Sequence, residues 1–211
     1  MTIQLKNRSA RIVAISFDHT DWGILPRKIL PRFLQATQQA EWELDEQQAA
    51  EIKELISQHL WSKLLDYLAY RERSCAECRH WLQRQHCHPA LAEELINRAQ
   101  SLNYLNDERF GKLYIESLLG KQKSPREIRM KLFERGLDAS MVQQLITSCI
   151  RQNNVRENME ELIRKHMHKY YSLSSNKRKE KVLNFMVRKG YSFDEVSRIF
   201  NALEAEGKQT D

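Results

Sequence analysis

The sequence predicts an all-α protein: three tandem three-helix repeats forming an elongated curved rod, with a short N-terminal β-hairpin extension. Three observations predict it. Glycine and proline are scarce, at 6 and 4 in 211 residues, whereas an all-β chain of this size needs many tight turns. Apolar residues make up 41% of the chain and recur at helical spacing along nearly all of it, which excludes low-complexity disorder. The chain also repeats itself. At an offset of 50, Ser74, Glu77 and Leu82 fall on Ser124, Glu127 and Leu132. Cys87, Leu95 and Ile96 fall on Leu137, Leu145 and Ile146. At a further offset of 54, Ile128, Leu132, Gly136 and Leu145 fall on Val182, Met186, Gly190 and Ile199.

Residues 1–44 form the extension. Ile12 to Phe17 is apolar and branched, Asp18-His19-Thr20-Asp21 is turn-like, and Trp22-Gly23-Ile24-Leu25 follows, which predicts a hairpin. Pro26 and Pro31 interrupt what comes next. Repeat 1 spans 45–104. Asp45 caps a helix through Ile52, Leu55 and Ile56, and Ser74 with Glu77 forms a capping box for the next helix.

Repeat 2, over 105–153, shows the pattern best. Asn106-Asp107 opens a helix with Phe110, Leu113, Tyr114 and Leu118 at spacings of three and four. Ser124-Pro125-Arg126-Glu127 is a capping box with proline at the first helical position. Ile128 and Leu132 form the buried stripe, and Arg135-Gly136 ends the helix. Asp138 starts a third helix with Val142, Leu145, Ile146 and Cys149 inward. Repeat 3 spans 154–211, where Ser172 to Asn176 absorbs a length difference and Lys189-Gly190 repeats the stop. One such unit has a small core, and stacking units supplies the missing burial.

No stretch approaches the roughly 20 apolar residues of a membrane span, so no membrane partner is expected. Met1 to Arg11 is polar and basic, unlike a secretory signal. Cys75, Cys78, Cys87 and Cys149 read as reduced thiols, and a cytoplasmic monomer is expected. The net charge is +6 and is unevenly spread. Residues 1–40 carry six basic against two acidic groups, 41–60 one against six, and 151–190 eleven against four. Positive charge at both ends suits a polyanionic partner.

Cys75-x-x-Cys78 with His80, His86, Cys87 and His88 has the residue types of a zinc site. The repeat argues against one. A continuous helix holds Cys78 and His86 roughly 12 Å apart, too far for one metal. Cys78 and Cys87 also occupy the core slots of Ile128 and Leu137, where a free cysteine behaves as a small hydrophobe. Gly120-Lys121 lacks the rest of a phosphate loop, since Ile115 and Gln122 stand where glycine and Ser/Thr are needed. His166 and His168 point in different directions on one helix. No cofactor is implied, and no nucleophile with its base and carboxylate has a local signature, so the chain reads as a non-enzyme. The candidate partner- or DNA-binding residues are cations. Lys121, Lys123, Arg126, Arg129, Lys131 and Arg135 surround the second capping box, and Lys177, Arg178, Lys179 and Lys181 open the equivalent helix of repeat 3. Cations near a helix start oppose its dipole at about 0.3–1 kcal/mol each. Bearing that cost points to an acidic partner.

The chain resembles the RecX family of bacterial recombination regulators. The likeness rests on Leu105-Asn106-Asp107-Glu108-Arg109-Phe110, Tyr114, Pro125, Ile128, Leu132 and Gly136-Leu137, with Arg71-x-Arg73-Ser74-x-x-Glu77 opening the first unit. The family often has Gly-x-Gly where this chain has Gln122-Lys123-Ser124, and usually glycine where His86 stands. The resemblance implies a regulator that lies in the groove of the RecA filament on single-stranded DNA. It would inhibit ATPase, strand exchange and coprotease activities, with any contact to the single-stranded DNA weak or indirect. The competing expectations are a helical module acting on DNA directly, whose affinity falls steeply with salt, and a scaffolding array indifferent to the charge of Lys177, Arg178 and Lys179.

Overall fold

A computed structural model of the chain describes residues 1–35, 41–150 and 152–209. It divides into two compact units, Met1–Asp107 and Glu108–Asp211.

In the first unit the expected hairpin is one half of a larger sheet, with its second strand at the edge. Strands β1 (Thr2–Asn7), β2 (Ile12–Phe17), β3 (Thr20–Pro26) and β4 (Glu41–Glu43) form an antiparallel sheet in the order β3-β2-β1-β4. Asp18 and His19 both have positive φ, 46° and 65°, the geometry of a hairpin turn that matches strand twist. Ile3 pairs with Phe17, Leu5 with Ile15 and Val13 with Leu25, so these side chains share one face. Beyond the sheet come a short 3₁₀ turn (Arg27–Ile29) and α1 (Arg32–Gln35).

Helix α2 (Glu46–Ala69) is one continuous helix, capped by Asp45, which accepts from Gln48 N at 2.7 Å. It buries Ile52, Ile56, Leu60 and Leu64 in the core that also holds Ile3, Ile15 and Leu25. Gly23 lets β3 approach it, because a Cβ there would lie 2.4 Å from Ile56 Cγ2. Helices α3 (Cys75–Arg84) and α4 (Pro89–Ser101) complete the first repeat and extend the same core through Cys78, Leu82, Leu95 and Ile96.

The second unit holds six helices among its described residues: α5 (Asp107–Leu119, whose first residue closes the first unit), α6 (Pro125–Glu134), α7 (Ala139–Cys149), α8 (Gln152–Lys169), α9 (Ser175–Arg188) and α10 (Phe193–Gln209). They form two separate cores. One joins Phe110, Ile115, Ile128, Leu132, Val142 and Leu145. The other joins Ile163, Val182, Met186, Val196 and Phe200.

The second helix of every repeat ends in the same way. In repeat 2, Gly136 N donates to Phe133 O and Leu137 N to Leu132 O. Repeat 1 makes the matching bonds from His86 to Gln83 and Cys87 to Leu82, and repeat 3 from Gly190 to Val187 and Tyr191 to Met186. This closure needs a left-handed residue followed by an apolar one that packs back on the helix. The left-handed residues are His86 (φ 57°), Gly136 (78°) and Gly190 (93°). The histidine is fastened on its other side: His86 Nδ1 lies 2.7 Å from Asp21 Oδ2, and Arg8 reaches the ring from the β1–β2 turn.

Repeats 2 and 3 meet at one buried serine. Ser124 Oγ accepts from Glu127 N at 3.2 Å, capping α6, and donates to Lys189 O at 2.5 Å, where α9 ends. A Cβ on Gly190 would sit 3.0 Å from Arg126 Cβ, so the two helix ends are in close contact.

Candidate partner-binding surface

The ten candidate cations fall into two groups once their neighbours are known. Six are engaged within the fold. Lys123 pairs with Glu127 at 3.2 Å, one turn away on α6. Lys131 lies 3.9 Å from Glu134. Arg129 donates to Gln143 Oε1 at 3.0 Å, holding α6 to α7. The Arg135 guanidinium stands 5.2 Å above the Tyr114 ring. Arg178 turns back onto the loop before α9, donating to Leu173 O at 3.2 Å and Tyr171 O at 3.4 Å. Lys179 donates to Asn201 Oδ1 on α10 at 2.9 Å.

The other four are Lys121, Arg126, Lys177 and Lys181. All are exposed, and their side chains make no hydrogen bond or ion pair among the described residues. Arg126 lies in the first turn of α6, whereas Lys177 and Lys181 lie one turn apart on α9. Lys121 follows Gly120 past the end of α5. Their charge is therefore available to an anionic partner at no cost to the fold.

Alternation of faces on α6 brings out two further residues that charge alone does not reveal. Ile128 and Leu132 are fully buried, while Arg126, Arg129, Met130 and Phe133 line the outward face. The sequence signal is apolar residues one and two places off the buried stripe.

The cysteines behave as core. Cys78, Ile128 and Val182 are equivalent and fully buried, and Cys87, Leu137 and Tyr191 are equivalent and buried. Burial first, then the Asp107 carboxylate, pushes the Cys75 thiol up to about 12. Burial does the same to Cys78 and Cys87, each pushed up to about 12. A helix start ordinarily favours a thiolate; here loss of water outweighs it. Among the described residues no cluster of three His, Cys, Asp or Glu side chains is placed to hold a metal. No described helix is long and apolar enough to cross a membrane. His166 stacks on Phe185 at 3.7 Å, with Nδ1 3.0 Å from Leu162 O, while His168 faces outward.

Family models for the first, second and third three-helix domains of RecX match residues 61–98, 106–146 and 155–200. Regulatory protein RecX of Bacillus subtilis is 27% identical over 150 residues, covering 71% of this chain and 56% of the relative. The match therefore spans about half the relative's length. Regulatory protein RecX of Streptococcus sanguinis is 21% identical over 211 residues, 99% of this chain and 80% of the relative. A crystal structure of regulatory protein RecX superimposes with a TM-score of 0.65 at 20% identity, covering 95% of this chain and 99% of that one.

Proposed function

The chain belongs to the RecX family, and from that premise we propose that it regulates RecA by binding, without catalysis of its own. It lies in the helical groove of the RecA filament on single-stranded DNA and lowers ATP hydrolysis, strand exchange and coprotease action. The observation that carries this reading is the set of unspent cations. Lys121, Arg126, Lys177 and Lys181 are held outward by repeats whose cores are already closed. Such charges steer encounter with an acidic surface and fix register more than they add affinity.

Titration into RecA, ATP and single-stranded DNA tests it at two salt concentrations. Hydrolysis falls as the protein approaches the filament's subunit concentration, and more protein is needed at higher salt. No effect at equal amounts removes the assignment. Tight DNA binding without RecA, with a steep loss in salt, assigns direct action on DNA instead.

A further inference from the structure

The three repeats share one inside and differ outside, and the difference is greatest on the second helix. Its buried pair is Cys78 and Leu82 in repeat 1, Ile128 and Leu132 in repeat 2, and Val182 and Met186 in repeat 3, all fully buried. The outward positions just beyond are Arg79, His80 and Gln83 in α3. In α6 the same positions hold Arg129, Met130 and Phe133. Repeat 1 shows that the template accepts polar residues there. Met130 and Phe133 are nonetheless 55% and 45% exposed.

Neither side chain is needed by the core beneath it, which Ile128 and Leu132 fill. A single exposed apolar residue needs no explanation. Two large ones a turn apart, bordered on the same face by Arg126 and Arg129, form a compact unit about 10 Å long. Methionine, phenylalanine and arginine are the residue types enriched at the centres of protein interfaces. Methionine's flexible thioether adapts to the walls of a side-chain pocket.

The charges define the occupant further. Arg126 makes no ion pair among the described residues, and Arg129 reaches only the neutral amide of Gln143. Both guanidiniums can therefore take a carboxylate. A phosphate backbone would satisfy them but offers nothing to the methionine. A folded protein surface with an apolar pocket and carboxylates at its rim satisfies all four residues.

We propose that the outward face of α6, formed by Arg126, Arg129, Met130 and Phe133, is the anchor that docks this chain onto a RecA subunit. Met130 and Phe133 enter an apolar pocket, and the two arginines pair with carboxylates at its edge. This rests on the RecA reading above. One helix face is too small to be the whole interface, so it acts as the tight centre, with Lys177 and Lys181 as outlying, salt-sensitive contacts.

The test measures two affinities for each full-length variant: for the RecA filament on single-stranded DNA, and for bare single-stranded DNA. M130S/F133S weakens filament binding at least tenfold, mostly through faster dissociation. Bare DNA binding and the melting temperature stay as in the wild type, since both side chains lie outside the core. F133L, which keeps an apolar side chain but not a ring, stays within about threefold. R126E/R129E weakens filament binding, and less so at high salt. Filament binding by M130S/F133S as tight as wild type overturns the proposal. So does a variant set in which F133L is as damaging as serine and bare DNA binding falls in step, because that marks base stacking. Wild type that fails to bind the filament removes the RecA reading itself, whereas binding wild type with an indifferent double variant removes only this face.

Discussion

The second helices of repeats 1 and 2, α3 and α6, start on the same serine capping box and end on the same two closing bonds. Between those ends they diverge. In repeat 1 the core slots hold Cys78 and Cys87, and the left-handed stop is a histidine tied to the sheet through Asp21. In repeat 2 the same slots hold Ile128 and Leu137, the stop is a bare glycine, and the outer face carries Met130 and Phe133. A core slot constrains size and polarity, so chemistry is conserved inward. An outward position is free to vary: the stop of α3 is a histidine held by Asp21 of the sheet, and the outer face of α6 is free to carry Met130 and Phe133.

The largest expected contrast is in thiol reactivity. At pH 8 a thiol titrating near 12 is thiolate about one part in 10⁴, against roughly a fifth for an ordinary cysteine. Cys75, Cys78 and Cys87 are pushed up to about 12, so they should react with a disulfide reagent on the order of 10³ times more slowly in the native protein than after unfolding in urea. Rapid native labelling of all three would break the equivalence of Cys78 with Ile128. Next come the buried leucines. Leu82→Ala and Leu132→Ala should each cost about 2–5 kcal/mol in chemical denaturation. A cost under about 1 kcal/mol for either would show that the two cores are not built alike. The smallest effect is at the stop of α3. The hydrogen bond from His86 holds the Asp21 carboxyl below its ordinary value of 3.8. A depressed carboxylate stabilises above its unfolded pKa and loses that contribution as pH falls through the folded one. Asp21 is more than half exposed, so Asp21→Asn should cost less than about 1 kcal/mol at pH 6. The gap from wild type should close below about pH 4. An unchanged gap at pH 3 would show that the Asp21 carboxylate is not what fastens His86.

The helices were legible because each carries its own punctuation. Asp45, Ser74, Ser124 and Asp138 cap helices where the sequence places them. The sheet was legible only in part. Strand β1 reads as a polar N-terminus, and its alternation of Ile3 and Leu5 with Gln4 and Lys6 gains meaning only from partners 8 to 14 residues on or beyond position 40. Strand β4 is three residues long inside an acidic stretch. Pairing with a strand beyond position 40 leaves no local signature. The cations were legible by type but not by employment. Lys123 with Glu127 is a one-turn pair open to sequence reasoning. Nothing local tells that Arg178 folds back onto Leu173 and Tyr171 or that Lys179 reaches Asn201. Met130 and Phe133 carry no charge, and their exposure shows only once α6 is packed on its neighbours.

Ser124 serves two masters: its hydroxyl seals the entrance of one helix and the exit of another 65 residues away. If the end of α9 frays, the fully buried Ser124 hydroxyl loses its acceptor. Damage to repeat 3 is thus transmitted into repeat 2 as an orphaned hydrogen bond, and the pair should melt in a single step although their greasy centres never merge.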